Sequence, residues 1–273
     1  MVINLLKFIF LGFIQGFTEP IPVSSSGHLL IFQKLLSGNN LDIDFGLLAT
    51  LTNFGSLVAI ILIFKKDIIN LFKGFFGYLG SKKKEYYSDY KYCWLIVLGT
   101  IPAGIMGIVV TKLGLFDKLE ENVKFVGITL LITAVFLFLI RNLKGKKNKN
   151  DITTKDSIIV GLFQVVALIP GISRSGATIV GGMTRNFNRE TAFNFSFILY
   201  IPISIATTIL GISDLFSSNL SFELWIYYIC ATIVAFIFTY LGTKWFRKLV
   251  KEGKLIYFVI YCLIVGLSVI IFL

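Results

Sequence analysis

One stretch near the amino terminus decides the fold of this chain, Gly12-Phe-Ile-Gln-Gly-Phe-Thr-Glu-Pro-Ile-Pro-Val-Ser-Ser-Ser-Gly-His28. Two prolines, three serines, a carboxylate and the only histidine of the sequence interrupt an otherwise apolar run. A membrane-spanning helix does not tolerate so many helix breakers and polar groups near its centre. The stretch therefore predicts a short helix that enters a membrane, turns at a polar tip and returns.

A second copy of this stretch lies 149 residues further along the chain. It centres on Pro170-Gly-Ile-Ser-Arg-Ser-Gly-Ala-Thr178, and it aligns with the first copy without a gap. Because the identities are polar residues and glycines rather than common apolar ones, they indicate an internal repeat. The identical pairs are Gly12 and Gly161, Gln15 and Gln164, Ser24 and Ser173, Ser26 and Ser175, and Gly27 and Gly176.

The composition is typical of a polytopic membrane protein. Of the 273 residues, 56% are hydrophobic and 15% are charged, and the mean hydropathy is +0.83, which excludes an ordinary soluble domain. Six apolar runs are close to the roughly 20 residues that cross a bilayer. Two shorter runs, 3–17 and 158–169, lead into the polar stretches. The predicted transmembrane helices are 47–64, 92–111, 123–140, 192–212, 224–243 and 255–273.

The net charge of +11 is concentrated in three loops, 65–91, 141–155 and 244–254. The intervening connections near 37–44, 112–124 and 213–223 are neutral or acidic, which is the positive-inside pattern. We therefore place the basic loops in the cytoplasm. The positive charge is interpreted as solvated anchoring charge beside membrane lipids, and no nucleic acid partner is predicted.

This orientation is consistent only if the two polar stretches do not cross the membrane. The first then dips in from outside and the second from inside, and three spans follow each. The predicted fold is an all-α polytopic membrane protein with six transmembrane helices plus two re-entrant helical hairpins in an inverted-topology repeat. It forms a single integral membrane domain with repeat 1 at 1–142, a basic cytoplasmic linker at 143–156 and repeat 2 at 157–273.

The repeat also predicts which side chains meet at the centre of the protein. Ser25 is the equivalent of Arg174, so a hydroxyl on one tip should face a guanidinium on the other, with Glu19 and His28 close by. A guanidinium, hydroxyls and helix N-terminal amides together form a cradle for a phosphate or another oxyanion. The structural alternative is that Arg174 simply pairs with Glu19 and ties the two hairpins together.

The first tip also carries groups suited to catalysis. Ser24, Ser25 and Ser26 are candidate nucleophiles, and His28 is a candidate base or acid because its ordinary pKa is near neutrality. Glu19 could orient His28 or neutralise a metal ion. The alternatives are that His28 is an ordinary buried histidine and that the serines only cap short helices.

The two motifs resemble the signatures of the undecaprenyl pyrophosphate phosphatases of the bacitracin-resistance type. These signatures are (E/Q)xxxE, met here by Gln15 and Glu19, and PGxSRSxxT, which is complete from Pro170 to Thr178. The resemblance runs through the whole chain and includes the Ile101-Pro-Ala-Gly104 step and the segment Phe195-Ser-Phe197. Gln15 occupies a position that is Glu in many members, and Asn53 one where relatives often have Gln.

The resemblance implies a multi-pass enzyme of the bacterial inner (plasma) membrane that removes the terminal phosphate of undecaprenyl diphosphate, a polyprenyl diphosphate lipid, for reuse in peptidoglycan synthesis. It also implies a divalent cation, Mg²⁺ or Ca²⁺, and Ser25 as the nucleophile. The candidate catalytic residues are Ser25, His28, Glu19 and Arg174; the candidate substrate-binding residues are Gln15, Ser24, Ser26, Ser173, Ser175, Gly176 and Thr178; Glu19 is also the candidate metal ligand.

Several alternatives remain open at this level. His28 could activate water directly, with Ser25 acting only as a ligand. The inverted repeat is also typical of transporters, so a carrier or flippase of a lipid phosphate is the competing function. We expect the site to open to the outer face, because the hairpin with Glu19 and His28 enters from outside. A homodimer is left open as a further partner.

Overall fold

The computed structural model describes residues 2–36, 44–115, 122–217 and 220–273, with the side chains of 212–217 excepted. Parts of the predicted outer connections near 37–44, 112–124 and 213–223 therefore lie outside the described residues, namely 37–43, 116–121 and 218–219. Within these ranges the chain forms eleven α-helices and one 3₁₀ turn, Lys149–Asp151. The helices are α1 Val2–Thr18, α2 Ser25–Leu36, α3 Phe45–Ile63, α4 Lys65–Ser81, α5 Lys84–Leu113, α6 Val123–Ile140, α7 Thr154–Val166, α8 Arg174–Thr184, α9 Arg189–Ser217, α10 Phe222–Glu252 and α11 Ile256–Phe272.

Five of the described helices are long and apolar enough to cross a membrane. They are α3, α5, α6, α9 over Arg189–Gly211, and α10. The prediction of an all-helical, multi-pass membrane protein is confirmed. The last predicted span, 255–273, corresponds to α11, which is apolar but has only 17 residues.

Two of the three basic segments are not loops, although the sequence predicted loops there: residues 244–252 continue helix α10, and the first segment is also largely helical. Residues 65–81 form helix α4, and α5 begins at Lys84, well before the predicted span at 92. Helix α4 is held against α5 by the ring of Phe75, whose centroid lies 5.4 Å from that of Tyr90. The segment was predicted to be a loop because it is rich in lysine, but it also has an apolar stripe at helical spacing, which includes Ile68, Leu71 and Phe75.

Each hairpin packs closely against a long helix from the other half of the chain. Helix α1 lies on α10, and a Cβ atom on Gly12 would approach the Ala231 carbonyl oxygen to 2.3 Å. Helix α7 lies on α5, and a Cβ atom on Gly161 would approach the Gly99 carbonyl oxygen to the same 2.3 Å. Gly12 and Gly161 therefore permit the same close helix contact in the two halves.

Asp156, at the start of α7, connects the linker to the second hairpin. Its buried carboxylate accepts hydrogen bonds from Lys147 Nζ at 2.7 Å, Arg185 Nε at 2.8 Å and the Thr153 N–H at 3.0 Å. Burial alone raises the pKa of this carboxyl, but these hydrogen bonds outweigh burial and bring the pKa down to about 2. The carboxylate thus fixes the linker and both ends of the α7–α8 hairpin.

Candidate active site

The two hairpin tips are built in the same way. Ser24 Oγ accepts a hydrogen bond from the Gly27 N–H at 3.3 Å, and Ser173 Oγ accepts one from the Gly176 N–H at 3.1 Å. Each of these serines caps the helix that follows, α2 in one tip and α8 in the other. Ser24 adopts a left-handed conformation with φ of 68°, which is unusual for a residue other than glycine.

A cavity of about 350 Å³ lies between the two tips. The N-termini of α2 and α8 both border it, so two sets of backbone N–H groups and two helix dipoles favour an anion there. Helices α3 and α9 close the other sides. The polar residues that line the cavity are Gln15, Glu19, Ser24, Ser25, Ser26, Thr50, Asn53, Ser173, Arg174, Ser175, Ser204, Thr207 and Thr208.

Glu19 is the centre of the hydrogen-bond network in this cavity. One carboxylate oxygen forms an ion pair with Arg174 Nη2. The other accepts hydrogen bonds from Ser25 Oγ at 2.5 Å and from Gln15 Nε2 at 2.9 Å. The predicted meeting of Ser25 and Arg174 is therefore made through Glu19, which lies between them.

Helix α9 holds Arg174 from the other side. Arg174 Nη1 donates to Ser204 Oγ at 3.1 Å, and the guanidinium carbon lies 3.8 Å from the centroid of the Tyr200 ring. Tyr200 and Ser204 are not among the site residues predicted from the sequence. The signal that could have found them is the polar stripe Tyr200, Ser204, Thr207 and Thr208 at helical spacing in an apolar span.

His28 faces away from Glu19, so the predicted contact between them is not formed. Its Nδ1 lies 2.7 Å from the Ser24 carbonyl oxygen, and its Nε2 lies 2.8 Å from the Tyr261 hydroxyl. Because a carbonyl oxygen can only accept, Nδ1 carries the proton and Nε2 accepts from Tyr261. The bond to Tyr261, whose ring stacks on the imidazole with centroids 5.5 Å apart, holds His28 against α11, and His28 is not among the residues that line the cavity.

Other predicted binding residues support the second tip. Ser173 Oγ lies 3.2 Å from Ser175 Oγ, and Ser175 donates to the Ile21 carbonyl oxygen at 3.3 Å, which connects the two tips directly. Thr178 does not line the cavity; its hydroxyl lies 2.5 Å from Ser196 Oγ and fastens α8 to α9. The backbone N–H of Gly176 is used by the cap described above.

The donor set at the cavity does not form a protein cage for a metal ion. No group of three or more His, Cys, Asp or Glu side chains suited to a metal occurs in the described parts of the chain. Among the described residues, Glu19 is the single carboxylate that borders the cavity, and both of its oxygens already have partners. Mg²⁺ and Ca²⁺ prefer several oxygen ligands, so the described residues at the cavity supply too few by themselves.

A polar cavity between two pairs of short helices, with an arginine, a carboxylate and opposed helix N-termini, has the features of an anion site in a multi-pass membrane protein. Residues 8–268 match the family described as bacitracin resistance protein BacA. This chain belongs to that family, which confirms the resemblance that the two motifs carry.

The chain is similar over nearly its whole length to curated proteins. It is 45% identical to undecaprenyl-diphosphatase 1 of Bacillus licheniformis, over 98% of this chain and 98% of that one. It is 46% identical to undecaprenyl-diphosphatase 2 of Bacillus thuringiensis, over 98% of each. It is 44% identical to the undecaprenyl-diphosphatase of Oceanobacillus iheyensis, over 99% of this chain and 97% of that protein.

Proposed function

We infer that this chain is an undecaprenyl-diphosphate phosphatase, which hydrolyses undecaprenyl diphosphate to undecaprenyl phosphate and inorganic phosphate and so confers bacitracin resistance. Family membership and full-length relatives carrying that name support this function. The single structural observation that supports it best is the position of Glu19, between the hydroxyl of Ser25 and the guanidinium of Arg174.

Ser25 is the proposed nucleophile. Its oxygen attacks the terminal phosphorus, and Glu19, 2.5 Å away, accepts the hydroxyl proton. A bond forms between Ser25 Oγ and phosphorus while the bond from phosphorus to the bridging oxygen breaks, and undecaprenyl phosphate leaves. Water then hydrolyses the phosphoserine. Direct attack by water, with Ser25 as a ligand only, is the alternative mechanism.

Arg174 and the two helix N-termini are the proposed electrophilic side of the site. Arg174 Nη1 donates to the neutral Ser204 hydroxyl, so it can turn to a phosphate oxygen while Nη2 keeps Glu19 in place. The N-termini of α2 and α8 add backbone N–H groups, which stabilise the negative charge that develops as the bond breaks.

His28 has a different proposed role from the one that the sequence suggested. Its bond to the Ser24 carbonyl oxygen supports the left-handed turn that aims Ser25 at Glu19. Tyr261 fixes the other ring nitrogen. On this geometry His28 positions the nucleophile, and Glu19 handles the proton.

The divalent cation is proposed to arrive with the diphosphate, as part of the substrate. Glu19 is the residue that would approach it, and phosphate oxygens and water would supply the remaining ligands. When bound, such a cation neutralises negative charge on the leaving phosphate.

The proposed architecture is the inverted repeat with six spans, α11 being the sixth, and two re-entrant hairpins. The matching contacts of Gly12 and Gly161 support it, and Gly127 of α6 and Gly266 of α11 add a reciprocal pair. A Cβ atom on either one would lie 2.9 Å from the carbonyl oxygen of the other.

Access is proposed to be from the outer face. The cavity is bordered by Thr50 and Asn53, near the start of α3, and by Thr207 and Thr208, toward the end of α9. Those ends adjoin the connections that the charge pattern predicts outside. A carrier of a lipid phosphate would need the same cradle, but the short Ser25–Glu19 hydrogen bond favours catalysis. A homodimer stays a prediction.

The test is phosphate release from undecaprenyl diphosphate by detergent-purified protein. We expect release by wild type and by Ser88→Ala, which removes a half-buried hydroxyl of α5 that donates to Asn150, and a loss of release in Ser25→Ala and Arg174→Ala. Trapped phosphoserine at position 25 would exclude direct attack by water. No release by folded wild type with Mg²⁺ or Ca²⁺ present would overturn the phosphatase and favour the carrier.

A further inference from the structure

Asn53 on α3 borders the cavity opposite the two tips, and nothing in the mechanism above uses it. Its side-chain oxygen accepts a hydrogen bond from the Tyr200 hydroxyl at 3.0 Å. With Oδ1 occupied in this way, the other terminal atom of the amide, Nδ2, is the one left for a ligand. Among the described residues, Nδ2 has no hydrogen-bond partner. Two N–H donors are therefore available at the cavity.

Tyr200 also contacts Arg174. The Tyr200 ring is buried, and the guanidinium carbon of Arg174 lies 3.8 Å from its centroid. The two donor groups, Arg174 and the Asn53 amide, are thus held by one rigid side chain, at its ring face and at its hydroxyl end. A rigid aromatic spacer fixes the separation of the two donors better than two independent side chains would.

We propose that Asn53 binds the second phosphoryl group of the diphosphate, the one that stays on the lipid, and that Tyr200 is the residue that positions the Asn53 amide. This rests on the proposed phosphatase function and deepens it. Arg174, Ser25 and the helix N-termini engage the terminal phosphate, and Asn53 lies one tyrosine ring away from Arg174. The enzyme thereby favours a diphosphate over a monophosphate.

Asn53→Asp separates this role from a structural one. Aspartate has the same shape and keeps the oxygen that accepts from Tyr200, so a residue that only joins α3 to α9 would tolerate it. A residue that donates to a phosphate would not, because both donors are replaced by a negative charge. We expect Asn53→Asp and Asn53→Ala to lower kcat/KM for undecaprenyl diphosphate by about tenfold to a hundredfold, mainly through KM.

Tyr200→Phe keeps the ring under Arg174 and removes only the hydroxyl. We expect kcat/KM for undecaprenyl diphosphate to fall by about threefold to tenfold, since a freely rotating amide is a poorer donor. In the double variant Asn53→Ala/Tyr200→Phe, kcat/KM should fall no further than in Asn53→Ala alone, because the Tyr200 hydroxyl acts through the Asn53 amide. Tyr228→Phe removes the hydroxyl of a buried tyrosine that does not line the cavity and that donates to the Asp44 carbonyl oxygen at 3.2 Å, so it is the matched control.

Competition by two inorganic ions identifies the phosphoryl group that Asn53 contacts. In Asn53→Ala, the inhibition constant of inorganic diphosphate should rise about tenfold while that of inorganic phosphate stays within about twofold. Equal shifts for both ions would place Asn53 at the terminal phosphate and overturn the assignment, and so would wild-type kinetics in Asn53→Asp. If wild type released no phosphate at all, the phosphatase itself would fail, while binding of inorganic diphosphate would still decide the role of Asn53.

Discussion

Gly12 and Gly161 make the same contact in opposite halves of the chain: each brings a hairpin helix against a backbone carbonyl oxygen of a long helix from the other half. A methyl group at either position would lie 2.3 Å from that oxygen, well inside van der Waals contact. The two halves can therefore approach each other closely at these two points because neither residue carries a side chain.

This contact predicts the effect of adding one carbon. Gly161→Ala should destabilise the protein by about 1–3 kcal/mol, because α7 must move away from α5. Gly107→Ala, at an α5 position with open space around the new methyl, should be neutral or slightly stabilising. Thermal unfolding in detergent measures both, and equal melting temperatures for the two variants would contradict the packing argument.

Glu19→Gln tests the proton acceptor. The amide has the shape of the carboxylate but cannot take the Ser25 proton or pair with Arg174. We expect kcat to fall by about 10²–10⁴-fold, the usual contribution of a general base, with a smaller change in KM. Gln15→Ala removes only a neutral donor to the same oxygen and serves as the comparison. A Glu19→Gln enzyme with kcat near wild type would assign the base elsewhere.

His28→Asn separates positioning from proton transfer. The asparagine Nδ2 can donate to the Ser24 carbonyl oxygen in place of the histidine Nδ1, but an amide is no base. We expect this variant to retain more than about a tenth of kcat and the acid limb of the wild-type pH–rate profile, whereas His28→Ala should lose substantially more. Loss of activity in both variants, together with a changed acid limb, would restore His28 as the base.

Asp156 predicts how stability depends on pH. Its pKa of about 2 lies below the ordinary value, so the stabilisation is present above about pH 4 and is lost as pH falls through 2. Asp156→Asn should reduce the free energy of unfolding at pH 7 by about 2 kcal/mol. The difference from wild type should narrow on acidification. A difference that stays constant from pH 7 to pH 3 would show that the charge is not responsible.

Chelation tests the origin of the divalent cation. If the cation enters with the diphosphate, a chelator should stop phosphate release, and titration of substrate-free protein with Mg²⁺ or Ca²⁺ should give no stoichiometric site. Once inorganic diphosphate is added, the cation and the diphosphate should bind to the protein together. A tight site in the substrate-free protein would instead require further carboxylate ligands near Glu19.

The sequence was sufficient for the features that depend on local pattern. Apolar length predicted the five long spans, and the gapless repeat predicted that Ser24 and Ser173 would sit at equivalent tips, where both serve as caps. The meeting of Arg174 with the first tip also followed from the repeat. Local pattern gave a wrong prediction for α4, because its lysines indicated a loop although its apolar residues recur at helical spacing.

The sequence could not predict which side chains from distant helices contact the site residues. His28 could have turned either way on α2, and only the packing of α11 brings Tyr261 to its second nitrogen. The role of Tyr200 is likewise evident only from the Arg174 guanidinium that stacks on its ring. Nothing in the order of residues along α9 specifies that contact.

The ion pair between Glu19 and Arg174 joins two tips that lie in opposite halves of the chain. The first tip is translated long before the second, so the cavity cannot be complete until the second half of the chain has folded against the first. A second half inserted in the wrong direction would leave Glu19 without Arg174 beside it. If the basic segments set the direction of insertion, as the charge pattern predicts, lysines and arginines that do not line the cavity determine whether it can form.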